Sequence, residues 1–305
     1  HDRTHLLAAG VDMSSRSSLA PILLAMGALL IAMASYQCGA AVAKHLFPQV
    51  GAQGATAFRL GLGGMMMLLV RRPWRTARQG NHRRALWGYG LSMGVMNLSF
   101  YMALRTIPLG IAVALEFTGP LAIALFASRQ LSDFLWIALA VIGLYLLLPL
   151  HGQAHALDPV GVLYALCAGV GWALYILFGQ KAGMAYGGDA VALGIVIGAL
   201  VAVPVGFAHA GTTMFSIALL PLGLGVAVLS SVLPYSLEMI ALTRLHARTF
   251  SVLLSLEPAI AALAGMAFLG EQLGTVQWLA IASIVAASAG AAFGARQPIA
   301  EPLAN

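Results

Sequence analysis

Two glutamates lie inside apolar stretches that are long enough to cross a lipid bilayer. Glu116 falls within residues 107–128, and Glu257 falls within residues 250–269. A charged side chain at the centre of a membrane helix costs about 2.5 to 3.5 kcal/mol, so such residues usually serve a transport pathway or pair with another group. A carboxylate at that depth can bind and release a proton while a solute enters or leaves. Both glutamates are therefore candidates for coupling transport to protons.

A proline accompanies each glutamate. Pro120 has no N–H, so the carbonyl of Glu116, four residues earlier, loses its helical partner beside the flexible Gly119. Pro258 frees the carbonyl of Leu254 in the same way. Helices that are broken at mid-depth expose backbone dipoles that bind polar solutes. The alternative, that each acid is protonated and caps a neighbouring helix, stays open.

Arg59 is the basic residue that lies well within a span. It follows the expected outer end of its span, near residue 52, by about seven residues, and Glu116 follows residue 108 by about eight. At about 1.5 Å per residue, both side chains lie about 11–12 Å below the outer edge of the bilayer. They can form an ion pair, or they can be separated by a zwitterionic amino acid whose carboxylate binds Arg59. The sequence leaves both arrangements open.

Other polar and aromatic residues on helical faces are further candidates for solute binding: Asn97, Tyr101, Tyr36, Trp172, Tyr175, Tyr235 and Glu238. Asn97 and Tyr101 are one helical turn apart and share a face. Aromatic residues in membrane spans more often pack, or anchor the helix at the interface, than contact solute. Glu238 is close enough to Arg244 in the chain to reach the cytoplasmic surface instead.

The composition excludes a soluble protein. Hydrophobic residues make up 60% of the 305 residues and charged residues 9%, which is more apolar surface than a chain of this length can bury without lipid. The net charge of +6 does not indicate nucleic acid, because the basic residues collect at the ends of apolar runs.

Cys38 and Cys167 lie within spans and predict neither a disulfide nor a metal site. Nucleotide-binding loops and catalytic motifs are missing, so we expect no cofactor, no metal and no enzymatic activity.

Apolar runs of about 20 residues each predict an all-α integral membrane protein with ten transmembrane helices. The expected spans are residues 19–43, 52–70, 85–104, 108–128, 133–150, 158–180, 190–209, 216–242, 247–269 and 274–294. Basic residues concentrate on one side, and the positive-inside rule then places both termini in the cytoplasm. Residues 1–18 are polar and predicted to be disordered, and residues 295–305 are predicted to form a cytoplasmic tail.

The ten spans divide into two similar halves, residues 19–150 and residues 158–294. Residues 126–136 match residues 268–278 at Phe, Gln, Leu and Trp. Each half holds five spans, and an odd number inverts the second copy in the membrane. Inverted repeats are typical of transporters, which bind solute near the bilayer midplane between the copies. Chance similarity between apolar helices is the alternative.

Two motifs carry a more specific signal, residues 107–122 (IPLGIAVALEFTGPLA) and residues 233–245 (LPYSLEMIALTRL). With them, the chain resembles the bacterial inner-membrane threonine and homoserine exporters of the drug/metabolite transporter superfamily, from about residue 19 to 294. The resemblance implies a secondary-active exporter of small hydrophilic amino acids in the bacterial inner membrane, driven by proton antiport. Its partners would be the amino acid, protons and the lipid bilayer. An exporter of other metabolites or drugs on the same fold, or a passive channel, is the alternative, and the oligomeric state is left open.

Overall fold

The computed structural model describes residues 13–75, 83–127, 133–147, 157–245 and 247–294. Within these ranges the regular structure is entirely helical. Five helical segments are long and apolar enough to cross a membrane: Pro21–Lys44, Pro159–Tyr186, Asp189–Phe215, Ile217–Glu238 and Val252–Leu269. Shorter apolar helices cover Leu109–Ile123, Phe134–Leu146 and Thr275–Gly290. Large apolar side chains are exposed on many of these helices, as lipid contact requires. The prediction of an all-helical membrane protein is confirmed at this level.

The described residues form thirteen α-helices. They are α1 Met13–Lys44, α2 Phe47–Arg71, α3 Arg83–Ala103, α4 Leu109–Glu116, α5 Thr118–Ala127, α6 Asp133–Leu147, α7 Pro159–Tyr186, α8 Asp189–Ala210, α9 Leu220–Ala227, α10 Leu233–Arg244, α11 Ala247–Leu254, α12 Glu257–Leu269 and α13 Thr275–Gly294. A π-helical turn, Val228–Val232, joins α9 to α10. Short 3₁₀ helices cover Pro73–Arg75, Gly211–Phe215 and Ile217–Leu219.

Helix α1 begins at Met13, so helical structure starts before residue 19, within the segment that the sequence predicts to be disordered. Residues 1–12 and the predicted tail 295–305 lie outside the described residues, as does the end of the first predicted half at 148–150.

The main helix pairs join the first part of the chain to the second. Helix α2 packs against α8, α3 against α7 and α8, α1 against α10, α4 against α12, and α6 against α13. The α3–α8 pair approaches closely through glycines: a Cβ atom at Gly94 would lie 2.9 Å from the carbonyl oxygen of Gly198. Small residues at such crossings let backbones touch, which is the usual way for membrane helices to associate.

Apolar packing differs between the two ends of this bundle. One end of the bundle carries Lys44, Arg105 and Asp158, and we name it the Lys44 end. At this end one continuous cluster of buried residues joins α1, α2, α3, α4, α7, α12 and α13. Towards the opposite end the buried residues fall into three separate clusters. One lies between α2, α3, α7 and α8, one between α1 and α10, and one between α5, α6 and α13. The bundle is therefore packed more continuously at the Lys44 end.

Asp158 precedes the spanning helix α7 and caps its N-terminus. Its side chain accepts hydrogen bonds from the backbone N–H groups of Val160, at 3.4 Å, and Gly161, at 3.0 Å. A hydrogen bond from Thr106, together with these two, lowers the pKa of Asp158 below its ordinary value. The ionised form is therefore the one that stabilises this end of the helix.

A lowered pKa in the folded protein means that the cap stabilises above the unfolded pKa and is lost as the pH falls through the folded pKa. We expect Asp158→Ala to lower the melting temperature of the detergent-solubilised protein at pH 6, and to have much less effect at pH 3. Thr106→Val, which removes only the hydroxyl partner, should shift the loss of the cap to higher pH. Equal destabilisation by Asp158→Ala at both pH values would contradict this account.

Candidate functional site

Arg59 is fully buried near the middle of α2. Its Nη2 donates a hydrogen bond to the backbone carbonyl of Ser230, at 3.2 Å. The guanidinium carbon lies 4.4 Å from the ring centre of Tyr36 and 5.5 Å from that of Tyr101. Aromatic faces stabilise a cation electrostatically, and they do so more strongly away from water. Three helices and the π-helical turn thus hold this side chain in place.

A proline removes the α-helical partner of the carbonyl that holds Arg59. Pro234 lies four residues after Ser230 and has no N–H, so this carbonyl loses its partner in an α-helix. The chain forms the π-helical turn Val228–Val232 just before the proline. Such turns often occur at functional sites. Pro234 therefore predicts the Ser230 carbonyl as an acceptor, just as Pro120 and Pro258 do for the carbonyls of Glu116 and Leu254. Ser230 was not among the candidates named from the sequence.

The charge of Arg59 has no anionic partner at contact distance. No carboxylate oxygen of the described residues lies within 4.0 Å of its guanidinium. Among the described residues, Nε and Nη1 make no hydrogen bond of good geometry, although the side chains of Tyr36, Tyr101 and Tyr235 lie close enough to interact with the guanidinium. The direct Arg59–Glu116 ion pair, one of the two arrangements that the sequence left open, is therefore not formed. The guanidinium is turned instead towards Ser230 and the two tyrosine rings.

Glu116 and Glu257 are both buried, with 4% and 7% of their surfaces exposed. Gln37 of α1 donates a hydrogen bond from Nε2 to Oε1 of Glu257, at 3.0 Å. The two carboxyl groups interact electrostatically with each other and with Arg59. The structure therefore brings both acids and the buried cation into one region between α1, α2, α4 and α12.

Each glutamate lies where a membrane-crossing segment is interrupted. Helix α4 ends at Glu116 and α5 begins at Thr118, just before Pro120. Helix α11 ends at Leu254, and α12 begins at Glu257 with Pro258 in its first turn. A proline therefore lies within three residues of each of these helix boundaries.

Gly119 has a packing role at the first interruption. A Cβ atom there would overlap the backbone carbonyl of Gly169 in α7. Any larger residue at position 119 would push α5 away from α7. The sequence suggests only a loosened helix at Gly119, whereas the structure shows a backbone contact between two helices.

The predicted aromatic residues line the interior at several depths. Tyr36, Trp172, Tyr175 and Tyr235 are half-buried, as is Glu238. Trp172 packs edge-on against Phe117, with ring centres 5.3 Å apart. Tyr175 stacks at 4.7 Å on Tyr89, and their hydroxyls are 3.2 Å apart. Tyr235 interacts electrostatically with Arg59, whereas Trp172 and Tyr175 contact other aromatic residues.

Several buried polar atoms around Arg59 have no hydrogen-bond partner. They include Asn97 Oδ1, Ser231 Oγ and Gln37 Oε1. Folded proteins satisfy about nine in ten buried polar groups, so an unsatisfied cluster needs an explanation. Free donors and acceptors beside an unneutralised cation are what a polar, charged solute requires. Gln37, Ser230 and Ser231 are thus additions to the residues that the sequence singled out.

A salt bridge closes the Lys44 end. Lys44 Nζ lies 2.8 Å from Oε1 of Glu271, in the segment between α12 and α13. The other carboxylate oxygen of Glu271 accepts a hydrogen bond from the backbone N–H of Leu109, the first residue of α4, at 2.8 Å. One carboxylate therefore ties α1, α4 and the α12–α13 segment together. We refer to it as the Lys44–Glu271 bridge.

A polar surface cavity of about 610 Å³ lies beside this end. Its lining includes Gln49, Gln53, Arg105, His209 and Thr213, which surround the start of α2. Arg59 and the two buried glutamates do not line it. This cavity is therefore separate from the buried polar region.

The chain is similar to several known proteins. Residues 159–293 match the model of the EamA-like transporter family. Over 277 residues the chain is 53% identical to the threonine/homoserine exporters RhtA of Escherichia coli and of Salmonella typhimurium, covering 91% of this chain and 94% of theirs. An uncharacterized transporter of Synechocystis is 32% identical over 114 residues, about a third of either chain.

One solved crystal structure has a similar fold, with a TM-score of 0.57 and 19% sequence identity. The similarity covers 89% of this chain and 97% of that one. Because the identity is low, this likeness concerns the fold alone. The family assignment rests on the match to the family model and on the sequence identity to the two exporters: the chain is a multi-pass membrane protein that belongs to the EamA-like transporter family.

Proposed function

We propose that this protein exports small hydrophilic amino acids, threonine and homoserine among them, across the bacterial inner membrane by proton antiport. The observation that carries the proposal is the buried guanidinium of Arg59, which has no carboxylate of the described residues within 4.0 Å and two nitrogen donors without a well-aligned hydrogen bond. The names of the relatives at 53% identity supply the class of solute.

Arg59 binds the carboxylate of the solute in this proposal. Guanidinium groups match carboxylates through paired N–H donors, and such charge-assisted hydrogen bonds are strong in a dry environment. The free Nε and Nη1 leave Arg59 with donors to offer. A bound carboxylate supplies the missing counter-charge, which lowers the cost of keeping the guanidinium buried.

Glu116 and Glu257 bind the ammonium of the solute and exchange protons. A solute ammonium brings a positive charge next to acids that already interact with each other, so one of them can release its proton to the cytoplasm. When the solute leaves on the other side, the carboxylate takes up a proton again. One amino acid thus moves out as one proton moves in.

The helix pairing supports two inverted five-helix repeats. Each expected span coincides with one α-helix or with consecutive helical pieces. If the second half repeats the first, the α3–α7 pair corresponds to α1–α10, and α5–α7 corresponds to α1–α12. All four pairs are in contact, and the pairs that such a repeat maps onto themselves, α2–α8 and α6–α13, are also in contact. Transporters with such repeats bind solute between the two copies.

The packing supports a conformation that is closed towards the periplasm. Under the positive-inside rule, both termini are cytoplasmic and the Lys44 end faces the periplasm. That end has the continuous buried cluster and the Lys44–Glu271 bridge. The cytoplasmic end is divided into three clusters, which can separate without breaking one common core. Alternating access then requires the bridge to open.

Replacing the buried cation tests solute binding. We expect Arg59→Gln to reduce threonine efflux from loaded proteoliposomes by at least about thirtyfold, since losing a buried charge-assisted contact costs about 2 kcal/mol or more. Arg105→Gln at the surface is the matched control and should transport like the wild type. Threonine efflux at the wild-type rate in a folded Arg59→Gln protein would exclude Arg59 from carboxylate binding.

Replacing a glutamate by its neutral isostere tests proton coupling. Glu116→Gln should retain exchange of internal for external threonine but lose the acceleration of efflux by an inward proton gradient. Glu257→Gln, measured in parallel, shows whether Glu257 also couples efflux to the proton gradient. If efflux in both variants still responds to the gradient as it does in the wild type, neither acid takes part in proton coupling. Flux that ignores the gradient in the wild type itself would favour a channel.

The bridge can be tested through position 231, where the side chain is fully buried in the region of Arg59. A Ser231→Cys substitution in a Cys38→Ala, Cys167→Ala background provides the single thiol of the chain. Loss of a partly exposed ion pair worth about 1 kcal/mol shifts a two-state equilibrium about fivefold. We therefore expect Glu271→Gln to increase labelling of this thiol by an impermeant maleimide from the periplasmic side about fivefold. Glu271→Asp keeps the carboxylate and should change the labelling less; equal labelling with and without Glu271→Gln would contradict the bridge.

A further inference from the structure

We infer that Asn97 and Ser231 form a subsite for the side-chain hydroxyl group of the solute. The inference rests on the proposed function, because it takes the carboxylate of the same solute to lie against Arg59. It adds the feature that distinguishes a hydroxyl amino acid from an aliphatic one of the same size.

Each of the two residues has a buried polar atom that makes no hydrogen bond. Asn97 is 1% exposed and Ser231 is 0% exposed, and neither Asn97 Oδ1 nor Ser231 Oγ has a hydrogen-bond partner. Two neighbouring serines bond locally instead. The hydroxyls of Ser230 and Ser236 donate to the carbonyls of Val226 and Val232, four residues back. The hydroxyl of Ser231, within the π-helical turn, has no such bond.

The two atoms lie on one side of Arg59. Asn97 precedes Tyr101 on the same face of α3, one turn towards the end opposite Lys44, and the Tyr101 ring is 5.5 Å from the guanidinium carbon. Ser231 Oγ lies 3.2 Å from where a Cβ atom would stand at Gly63, one turn beyond Arg59 on α2. Along the helix axes, Asn97 is therefore about one turn, about 5.4 Å, from Tyr101, and the Ser231 hydroxyl lies beside a residue that is about one turn from Arg59.

This distance fits the solute. In an amino acid, a hydroxyl on Cβ or Cγ lies two or three bonds beyond Cα, so it reaches about 3–5 Å from the carboxylate carbon. A carboxylate on Arg59 therefore places the hydroxyl of threonine, or that of homoserine, near Asn97 and Ser231. A longer or bulkier side chain would have to extend beyond Asn97 and Ser231.

The polarity of the two atoms also fits a hydroxyl. Asn97 Nδ2 donates to the carbonyl of Met93 at 2.8 Å, which fixes the amide so that Oδ1 is the free acceptor. The Ser231 hydroxyl can donate as well as accept. Together they can satisfy both the hydrogen and the oxygen of an alcohol. The ammonium has two buried carboxylates available nearby, Glu116 and Glu257, and needs neither of these neutral groups.

Valine provides the physical contrast with threonine, since a methyl group replaces the hydroxyl at nearly constant volume. A site that is built to hydrogen-bond a hydroxyl rejects the analogue that lacks it, because its own buried polar groups are left unpaired. The subsite therefore selects by hydrogen bonding rather than by size.

The test compares efflux of labelled threonine and labelled valine from the same proteoliposomes. Ser231→Ala should lower threonine efflux about tenfold and leave valine efflux unchanged or higher, so that the threonine-to-valine ratio falls. Asn97→Leu should change the ratio in the same direction. Ser236→Ala, on the same helix but exposed and bonded to the Val232 carbonyl, is the control and should keep the wild-type ratio.

Equal losses for threonine and valine in Ser231→Ala would overturn the inference, because the residue would then act on the shared backbone of the solute or on the fold. An unchanged ratio in folded Ser231→Ala and Asn97→Leu would overturn it as well. If Asn97→Leu does not fold, the Ser231→Ala ratio decides alone. Failure of the proposed function looks different, because the wild-type protein would then move neither amino acid.

Discussion

The buried guanidinium of Arg59 is held by one backbone carbonyl and two tyrosine rings, and no carboxylate of the described residues neutralises it within 4.0 Å. A charge in this position is costly unless a partner arrives. The residues around Arg59 limit which kind of partner can bind there. Two glutamates provide negative charge nearby, and several buried polar atoms have no partner of their own. An anionic or zwitterionic solute would satisfy all of them together.

Backbone interruptions position these groups. Prolines at 120, 234 and 258 each remove one N–H from a helix, and each follows or lies beside a residue of the buried region. At Pro234 the freed carbonyl of Ser230 holds Arg59 directly. At the other two prolines a helix ends and another begins beside a glutamate. Irregular backbone is tolerated at membrane depth where protein, rather than lipid, surrounds it.

The packing of the helices gives the site an asymmetry that suits a transporter. Close backbone contacts, such as those of Gly94 with Gly198 and of Gly119 with Gly169, fix pairs of helices firmly. The Lys44–Glu271 bridge adds a polar contact that is only partly buried and therefore weak. The separated apolar clusters allow the end opposite Lys44 to open at modest cost, whereas opening the Lys44 end disrupts its continuous cluster as well as the bridge. Firm pairs that move as units are the usual basis of alternating access.

The sequence by itself determined the helical, membrane-spanning class, and it singled out two prolines that lie beside helix boundaries. These features depend on local properties, namely the length of apolar runs and the missing N–H of proline. It also identified Arg59, Glu116 and Glu257, since a charge within an apolar run is visible without a structure.

Only the tertiary structure decided what these charges contact. Arg59 meets a carbonyl 171 positions away, Gln37 meets Glu257 across 220 positions, and Lys44 meets Glu271 across 227. No local pattern encodes such pairings, because they depend on how helices from the two parts of the chain cross and on which rotamers the crossing leaves free. For the same reason the sequence left the Arg59–Glu116 ion pair open, whereas the packed helices direct the guanidinium towards Ser230.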